Sequence, residues 1–339
     1  MRKIWVKVKI GVHFGQVIFK GYDLQQQWLN QLEEFRLARD VGFDFLGWGH
    51  HWMIDPFQHF QPIPILSRFA AEAGSMEMVT SVLLTPILNP VQVAEEVATL
   101  DHICEGKFIF GVGLGYRKEE FEAAGMAQKE RAPRFEESLE LMKKLWTEDV
   151  VSHKGDFYTV SEARPTARPF QKPYPRIWIA GMTEAPIKRA GRLGHPYYAL
   201  GLTPYDDLKH NIGIWHEALA SHNQPTPAEL PLVREVFIAP TREKAIQKAK
   251  PSIEQKYAGY KNHGLPLVGS AIAGGVEPLY KDPFAVGDPG DCLESLAKYR
   301  DLGITHLELR LSWPATSHEE VLEMTELVGK TILPQLKQL

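Results

Sequence analysis

Apolar and polar positions along this chain follow two alternating rhythms. Short stretches are apolar at every second residue or throughout, as strands are, and longer ones at every third or fourth residue, as amphipathic helices are. Residues 7–14 read as a strand. Residues 24–41 read as a helix with an apolar face at Leu32, Phe35, Leu37 and Ala38, stopped by Gly42, and 43–48 as a short buried strand. Helix 64–73, strand 78–84, helix 90–104, strand 107–112 and helix 134–146 continue the exchange. After a predicted hairpin at 150–160, turning at Gly155-Asp156, come strand 176–180, helix 184–193, strand 195–200 and helix 204–221. Strand 232–239, helix 242–257, helix 291–302, strand 305–311 and helix 317–332 complete the series.

Eight strand–helix repeats in 339 residues predict an α/β fold, a TIM (β/α)8 barrel forming a single domain over residues 1–339. Inserted segments are expected after strands 4 and 7, at about 148–175 and 259–290. The second holds seven glycines and four prolines, which mark an active-site lid or an ordered insertion.

Composition narrows the partners. Apolar residues at 44% provide a full core, and no apolar run reaches the roughly 20 residues of a membrane helix. The 38 basic and 42 acidic residues leave a net charge of -4, so neither nucleic acid nor an anionic membrane is expected as a partner. The N-terminal residues alternate like a strand and lack the apolar core of a signal peptide. Two cysteines, Cys104 and Cys292, form no disulfide framework, which fits a reducing cytoplasm.

Barrel chemistry sits at the ends of strands, so those ends are the candidate site. Strand one ends in His13-Phe14-Gly15, strand two in Trp48-Gly49-His50-His51-Trp52, and strand three carries Thr80-Ser81-Val82. Strand four opens into Gly111, Gly113 and Gly115, an arrangement that lets a flat ligand or phosphate approach the backbone. Strand five leads through Gly181 and Met182 to Thr183, placed to cap a helix with Pro186 in its first turn; free N–H groups there suit a phosphate. The last strand runs into Arg310, Ser312 and Trp313. Histidines without a completing set of carboxylates predict no metal, and a strand-end imidazole suits general acid–base work near neutral pH.

Several motifs in order carry a family resemblance. They are Gly42-Phe43-Asp44 before Gly49-His50-His51, Asn89-Pro90 with Ala94-Glu95-Glu96 and Leu100-Asp101, and Gly106-Lys107-Phe108 with residues 111–117 and Glu120-Phe121. Leu145-Trp146-Thr147, Gly155-Asp156-Phe157-Tyr158, residues 175–181 and residues 189–194 continue the match. The chain resembles the luciferase-like flavin monooxygenases, which include bacterial luciferase, alkanesulfonate monooxygenase and deazaflavin-dependent oxidoreductases. The resemblance implies a barrel that holds reduced FMN at its C-terminal mouth, uses O₂ to oxygenate a small organic substrate, and receives its flavin from a separate NAD(P)H reductase. It also implies a homodimer.

By this resemblance Ser81-Val82 falls where a non-prolyl cis peptide lies beneath the flavin ring, with Thr80 beside it. His50 matches the catalytic histidine, Thr183 a phosphate-contacting hydroxyl, and Gly181 and Met182 close backbone contacts. Gly113, Gly115, Tyr116 and Arg117 complete the expected cofactor set, and Phe14, Trp48, Trp52 and Trp313 an aromatic substrate pocket. Gly49 stands where an acid often precedes the histidines. Gly113 and Leu114 stand where bacterial luciferase has its reactive cysteine and phosphate-gripping arginine. The pattern therefore matches the broader monooxygenase group and not a light-emitting enzyme. Two alternatives stay open: a dehydrogenase or reductase using a 5-deazaflavin coenzyme, and a flavin-binding protein without turnover.

Overall fold

A computed structural model describes residues 7–14, 18–55, 57–265, 267–273, 275–314 and 316–338. The alternating N-terminal residues before residue 7 and the strand-end Gly15 lie outside these. Eight parallel strands form the barrel: β1 (Lys9–His13), β2 (Phe45–Trp48), β3 (Glu77–Thr80), β4 (Phe108–Gly113), β5 (Arg176–Gly181), β6 (Tyr197–Ala199), β7 (Pro231–Ile238) and β8 (His306–Arg310). Each pairs with the next, and β8 pairs with β1 from Lys9↔His306 to His13↔Arg310, so the sheet closes. All eight lie at the positions the hydrophobic rhythm marks.

The outer helices are α1 (Leu24–Val41), α2 (Pro62–Ala70), α3 (Pro90–Ile103), α4 (Arg131–Thr147), α5 (Glu184–Arg192), α6 (Tyr205–Ser221), α7 (Arg242–Asn262) and α8 (His318–Thr331). Their ends follow local chemistry. Asp23 and Asn89 accept N–H groups of the first turns of α1 and α3, Gly42 closes α1 at φ 97, and Ser317 with Glu320 forms a capping box on α8.

Two side-chain layers result from strand alternation. Inside, Phe45, Val79, Ile109, Trp178, Tyr198 and Val233 pack the barrel, each large apolar side chain contributing about 1.5–3 kcal/mol by its removal from water. At the N-terminal end Trp178 Nε1 donates to Glu229 (2.7 Å), and Arg176 bridges Glu77 (2.6 Å) and Glu229 (2.8 Å). The opposite end is left for function.

Both expected insertions contain ordered elements. The first carries an antiparallel hairpin, Val151–Lys154 with Thr159–Ala163, held to α4 by Glu137, which accepts from the N–H groups of Asp156, Phe157 and Tyr158. In the second, α7 runs five residues past the predicted end at 257. A short helix (Val268–Ala271) and a 3₁₀ turn (Glu277–Tyr280) follow, then a strand (Ala285–Gly287) paired in parallel on β7. Helix Pro289–Ala297 follows and tightens into a 3₁₀ turn (Lys298–Leu302).

Candidate active site

The predicted third strand is interrupted at its functional point. β3 stops at Thr80, the Ser81–Val82 peptide is cis, and pairing resumes with Leu83↔Val112 and Leu84↔Gly113. Thr80 Oγ1 donates to the Gly111 carbonyl (2.8 Å), and the Ser81 N–H donates to the Trp48 carbonyl (2.8 Å). Ser81 and Val82 remain half-buried at the mouth.

This detour explains two of the glycines on β4. A Cβ at Gly111 would stand 2.0 Å from the Thr80 carbonyl oxygen, and one at Gly113 would stand 2.7 Å from Val82 Cγ2. The room attributed to a ligand is taken by the protein's own third strand. Gly115, at φ 76, turns the chain toward Tyr116 and Arg117.

The two adjacent histidines part as strand geometry requires. His50 is buried; its Nδ1 accepts the Leu84 N–H (3.2 Å), and its ring stands edge-on to Trp52, with centroids 5.6 Å apart. Accepting at Nδ1 leaves the proton on Nε2, and Gln61 is a side-chain partner of the ring. Burial, reinforced by His51, pulls His50 down to about 4, so the imidazole is neutral at pH 7.

His51 is half-buried, and its Nδ1 lies 2.9 Å from Glu120 Oε1, which also accepts the Trp52 N–H (2.9 Å). Glu120 is fully buried, and its second oxygen has no partner. The sequence reading noted Glu120 within a motif but gave it no role. Gly49 denies the histidines an acid in sequence, and Glu120 supplies one from the short helix Lys118–Ala123.

Other groups crowd the same rim. The His59 ring lies 6.2 Å from that of His51; its two nitrogens are buried and have no hydrogen-bond partner. Burial holds His59 well below the usual histidine range. The Tyr116 ring stands edge-on to His51, with centroids 5.9 Å apart. Arg117 is buried; its Nη2 donates to His263 (3.2 Å), and its Nε finds no acceptor.

Two buried carboxylates occupy the barrel below. On β7, Glu235 accepts from Lys256 of α7 (2.8 Å), Tyr257 (3.1 Å) and Arg310 of β8 (2.7 Å). Burial would raise this carboxyl, but the two cations outweigh it and hold it at about 2. On β8, Glu308 accepts from His13 Nδ1 (2.5 Å) and from the Tyr198 hydroxyl, which also contacts Ser81 Oγ (2.8 Å). Gly47 makes this possible: a Cβ there would stand 2.1 Å from Glu308 Oε1.

At the far side, Gly181 and Met182 are buried and Thr183 is exposed at the N-cap of α5. Thr183 has the extended backbone of a cap residue, yet its side chain makes no capping bond, contrary to the sequence expectation. Its hydroxyl is not spent on the helix.

The aromatic pocket expectation requires correction. Trp52 stands at the mouth, beside His50 and against the Leu84–Ile87–Phe121 cluster, whereas Trp48 and Phe14 do not. Gly47 faces inward beside Glu308, so Trp48 faces outward; its Nε1 donates to the Phe60 carbonyl (2.9 Å) and its ring meets Phe69 of α2. Phe14 is buried in the same outer core. Trp313 donates to the Val236 carbonyl (3.0 Å) and packs on Phe237 and Phe284, with the Lys256 ammonium 4.4 Å above its ring.

Known proteins resemble this chain. A family model described as luciferase-like monooxygenase matches residues 8–306. An F420-dependent glucose-6-phosphate dehydrogenase of Amycolatopsis mediterranei is 26% identical, over 89% of this chain and 92% of its own. An FMNH(2)-dependent dimethylsulfone monooxygenase of Pseudomonas putida is 26% identical, over 83% of this chain and 80% of its own. Among solved structures, monooxygenase RslO1 from Streptomyces bottropensis superposes with a TM-score of 0.83 at 22% identity, covering 97% of this chain and 99% of that one.

Proposed function

This chain belongs to the luciferase-like monooxygenase family, and we propose that it is a monooxygenase using reduced FMN and O₂ on a small organic substrate. A separate NAD(P)H reductase would supply the reduced flavin. The observation that carries this reading is the break of the third strand at Ser81–Val82, near a neutral His50, together with a helix start after β5 whose Thr183 hydroxyl is unused.

The residues fit the cofactor. The flavin ring would lie over Ser81 and Val82 beside Thr80, with Gly115 and Tyr116 along one edge. Gly181, Met182 and Thr183 would receive the phosphate, and the unpartnered Nε of Arg117 is available to an anion. When bound, reduced flavin supplies the electrons that activate O₂.

The chain's own tasks follow from its geometry. His50 holds a proton at Nε2 without bearing charge, and Glu120 orients the His51 ring through its Nδ1. The end of α7, carrying Lys256, Tyr257 and Tyr260, covers the barrel and excludes water. Trp52 offers the substrate an apolar wall.

The test is anaerobic titration with reduced FMN and, in parallel, a reduced deazaflavin, followed by incorporation of labelled O₂ into product. His50→Ala should leave FMN affinity within about threefold and cut turnover at least about tenfold. Tight binding of the deazaflavin alone, without O₂ incorporation, would sink the monooxygenase reading. It would establish instead a deazaflavin-dependent dehydrogenase, a second reading favoured by the name of the Amycolatopsis relative. FMN binding without any turnover would mark a non-catalytic flavoprotein.

Two coarser proposals accompany this one. The family resemblance supports a homodimer, which sedimentation would test. The two buried free cysteines suit the cytoplasm.

A further inference from the structure

Ser81 is not an isolated hydroxyl at the cleft floor. Its Oγ lies 2.8 Å from the Tyr198 hydroxyl, which bonds to Glu308 Oε2, and Glu308 Oε1 lies 2.5 Å from His13 Nδ1. His13 and Glu308 are 2% and 0% exposed and Tyr198 is fully buried, so within this chain of groups Ser81 is the half-buried member.

The carboxylate gives the chain a direction. An ionised Glu308 can only accept, so His13 Nδ1 and Tyr198 must both donate to it. The Tyr198 oxygen then accepts the Ser81 proton. Ser81 Oγ is left presenting lone pairs, not a proton, to whatever lies on the floor.

We propose that Ser81, Tyr198 and Glu308 form a proton wire from the cleft floor to the buried Glu308–His13 pair, with Ser81 Oγ taking a proton from an N–H or O–H group bound above it. The donor's proton moves to Ser81 Oγ, the Ser81 proton moves to Tyr198, and the Tyr198 proton moves to Glu308, which becomes a carboxylic acid. No electrons change hands, and the reverse sequence returns the proton. Ser81 is the contacting residue, while Tyr198, Glu308 and His13 are positioning residues that act through it.

The surroundings suit a reversible store. Arg310, two residues along β8, lies close enough to act electrostatically on both Glu308 and Tyr198, and its own salt bridge is to Glu235. Burial and the neighbouring Glu308 hold the Tyr198 phenol well above its usual range, so it passes a proton on without remaining ionised. Gly47 gives up its side chain for Glu308 alone, which an apolar interior would not need.

The proposal rests on the reading that the floor holds the flavin, and the test keeps the two separate. Ser81→Ala, Tyr198→Phe and Glu308→Gln would be compared with the wild type in anaerobic affinity for reduced FMN. Net proton exchange on binding would be measured by calorimetry in buffers of different ionisation enthalpy. Oxidation of the bound flavin by O₂ would be followed in H₂O and D₂O.

Expected are a proton exchange on binding that the variants lose and an oxidation rate of the bound flavin at least about tenfold lower with its pH dependence flattened. Binding with wild-type proton exchange, pH profile and isotope effect in all three variants overturns the wire alone. A wild-type protein that binds no reduced FMN overturns the cofactor reading and the wire with it. Ser81→Ala lies at the half-buried floor and keeps the test sound if a core variant fails to fold.

Discussion

Replacing Lys256 with Met tests whether the mouth carries one buried cation too many. Lys256 and Arg310 share Glu235, at 2.8 and 2.7 Å, and Lys256 is 5% exposed. Burial, with repulsion from Arg310, outweighs the attraction of Glu235 and brings Lys256 down to about 7. An unfolded lysine keeps its proton to about 10.4. Across that window the unfolded chain binds the extra proton, so stability rises with pH from about 7 toward 10, and below it the full cost is present. A displacement of this size is worth on the order of 3–5 kcal/mol. Lys256→Met keeps the stem, removes the ammonium and leaves Glu235 and Arg310 as a one-to-one pair. Urea denaturation at a series of pH values is the assay. The variant should match or exceed wild type near neutral pH, and the wild type should gain on it as pH rises. Parallel stability profiles across the window would refute the assignment of a strained second cation.

The α1–α8 contact carries the opposite dependence: hydrogen bonds from His318 to Glu34 and Glu33 raise that imidazole to about 9. Its contribution should be complete below the ordinary histidine value and fade as pH rises through about 9, so wild type minus His318→Gln should fall over that range in the same urea series. Gly47→Ala puts a methyl 2.1 Å from Glu308 Oε1 and should cost about 1–3 kcal/mol or more in thermal denaturation; a neutral effect would mean that Glu308 moves freely. Glu120→Gln keeps the shape of the His51 partner but not its charge. Turnover should fall at least about tenfold with flavin affinity within about threefold, and unchanged turnover would remove Glu120 from the site.

The fold was legible because a barrel repeats one local rule. Every strand–helix exchange is written in the spacing of apolar residues, and Gly42 and Asn89 mark helix ends by their own chemistry. Ser81–Val82 was legible through resemblance alone, since no local propensity forecasts a cis bond between two ordinary residues. The misplaced pocket tryptophan was open to a better reading. Strand alternation puts Gly47 and Trp48 on opposite faces, and a glycine facing inward sends the indole outward.

The rest depended on distance in sequence. Glu120 meets His51 across 69 positions, Tyr198 meets Ser81 across 117, and Glu308 meets His13 across 295. Such pairs leave no periodic trace, because each is made by closure of the barrel and not by any one element. Yet each carries a residue type that an apolar interior penalises unless it is paired. A charged residue on an inward position of a barrel strand therefore demands a partner from a neighbouring strand, and parity narrows the choice. On β8 the inward positions are His306, Glu308 and Arg310, and the register aligns Glu235 of β7 with Arg310. Glu308 meets Val233 in that register, so its partners had to come from β1 and from farther round the barrel, where His13 and Tyr198 supply them.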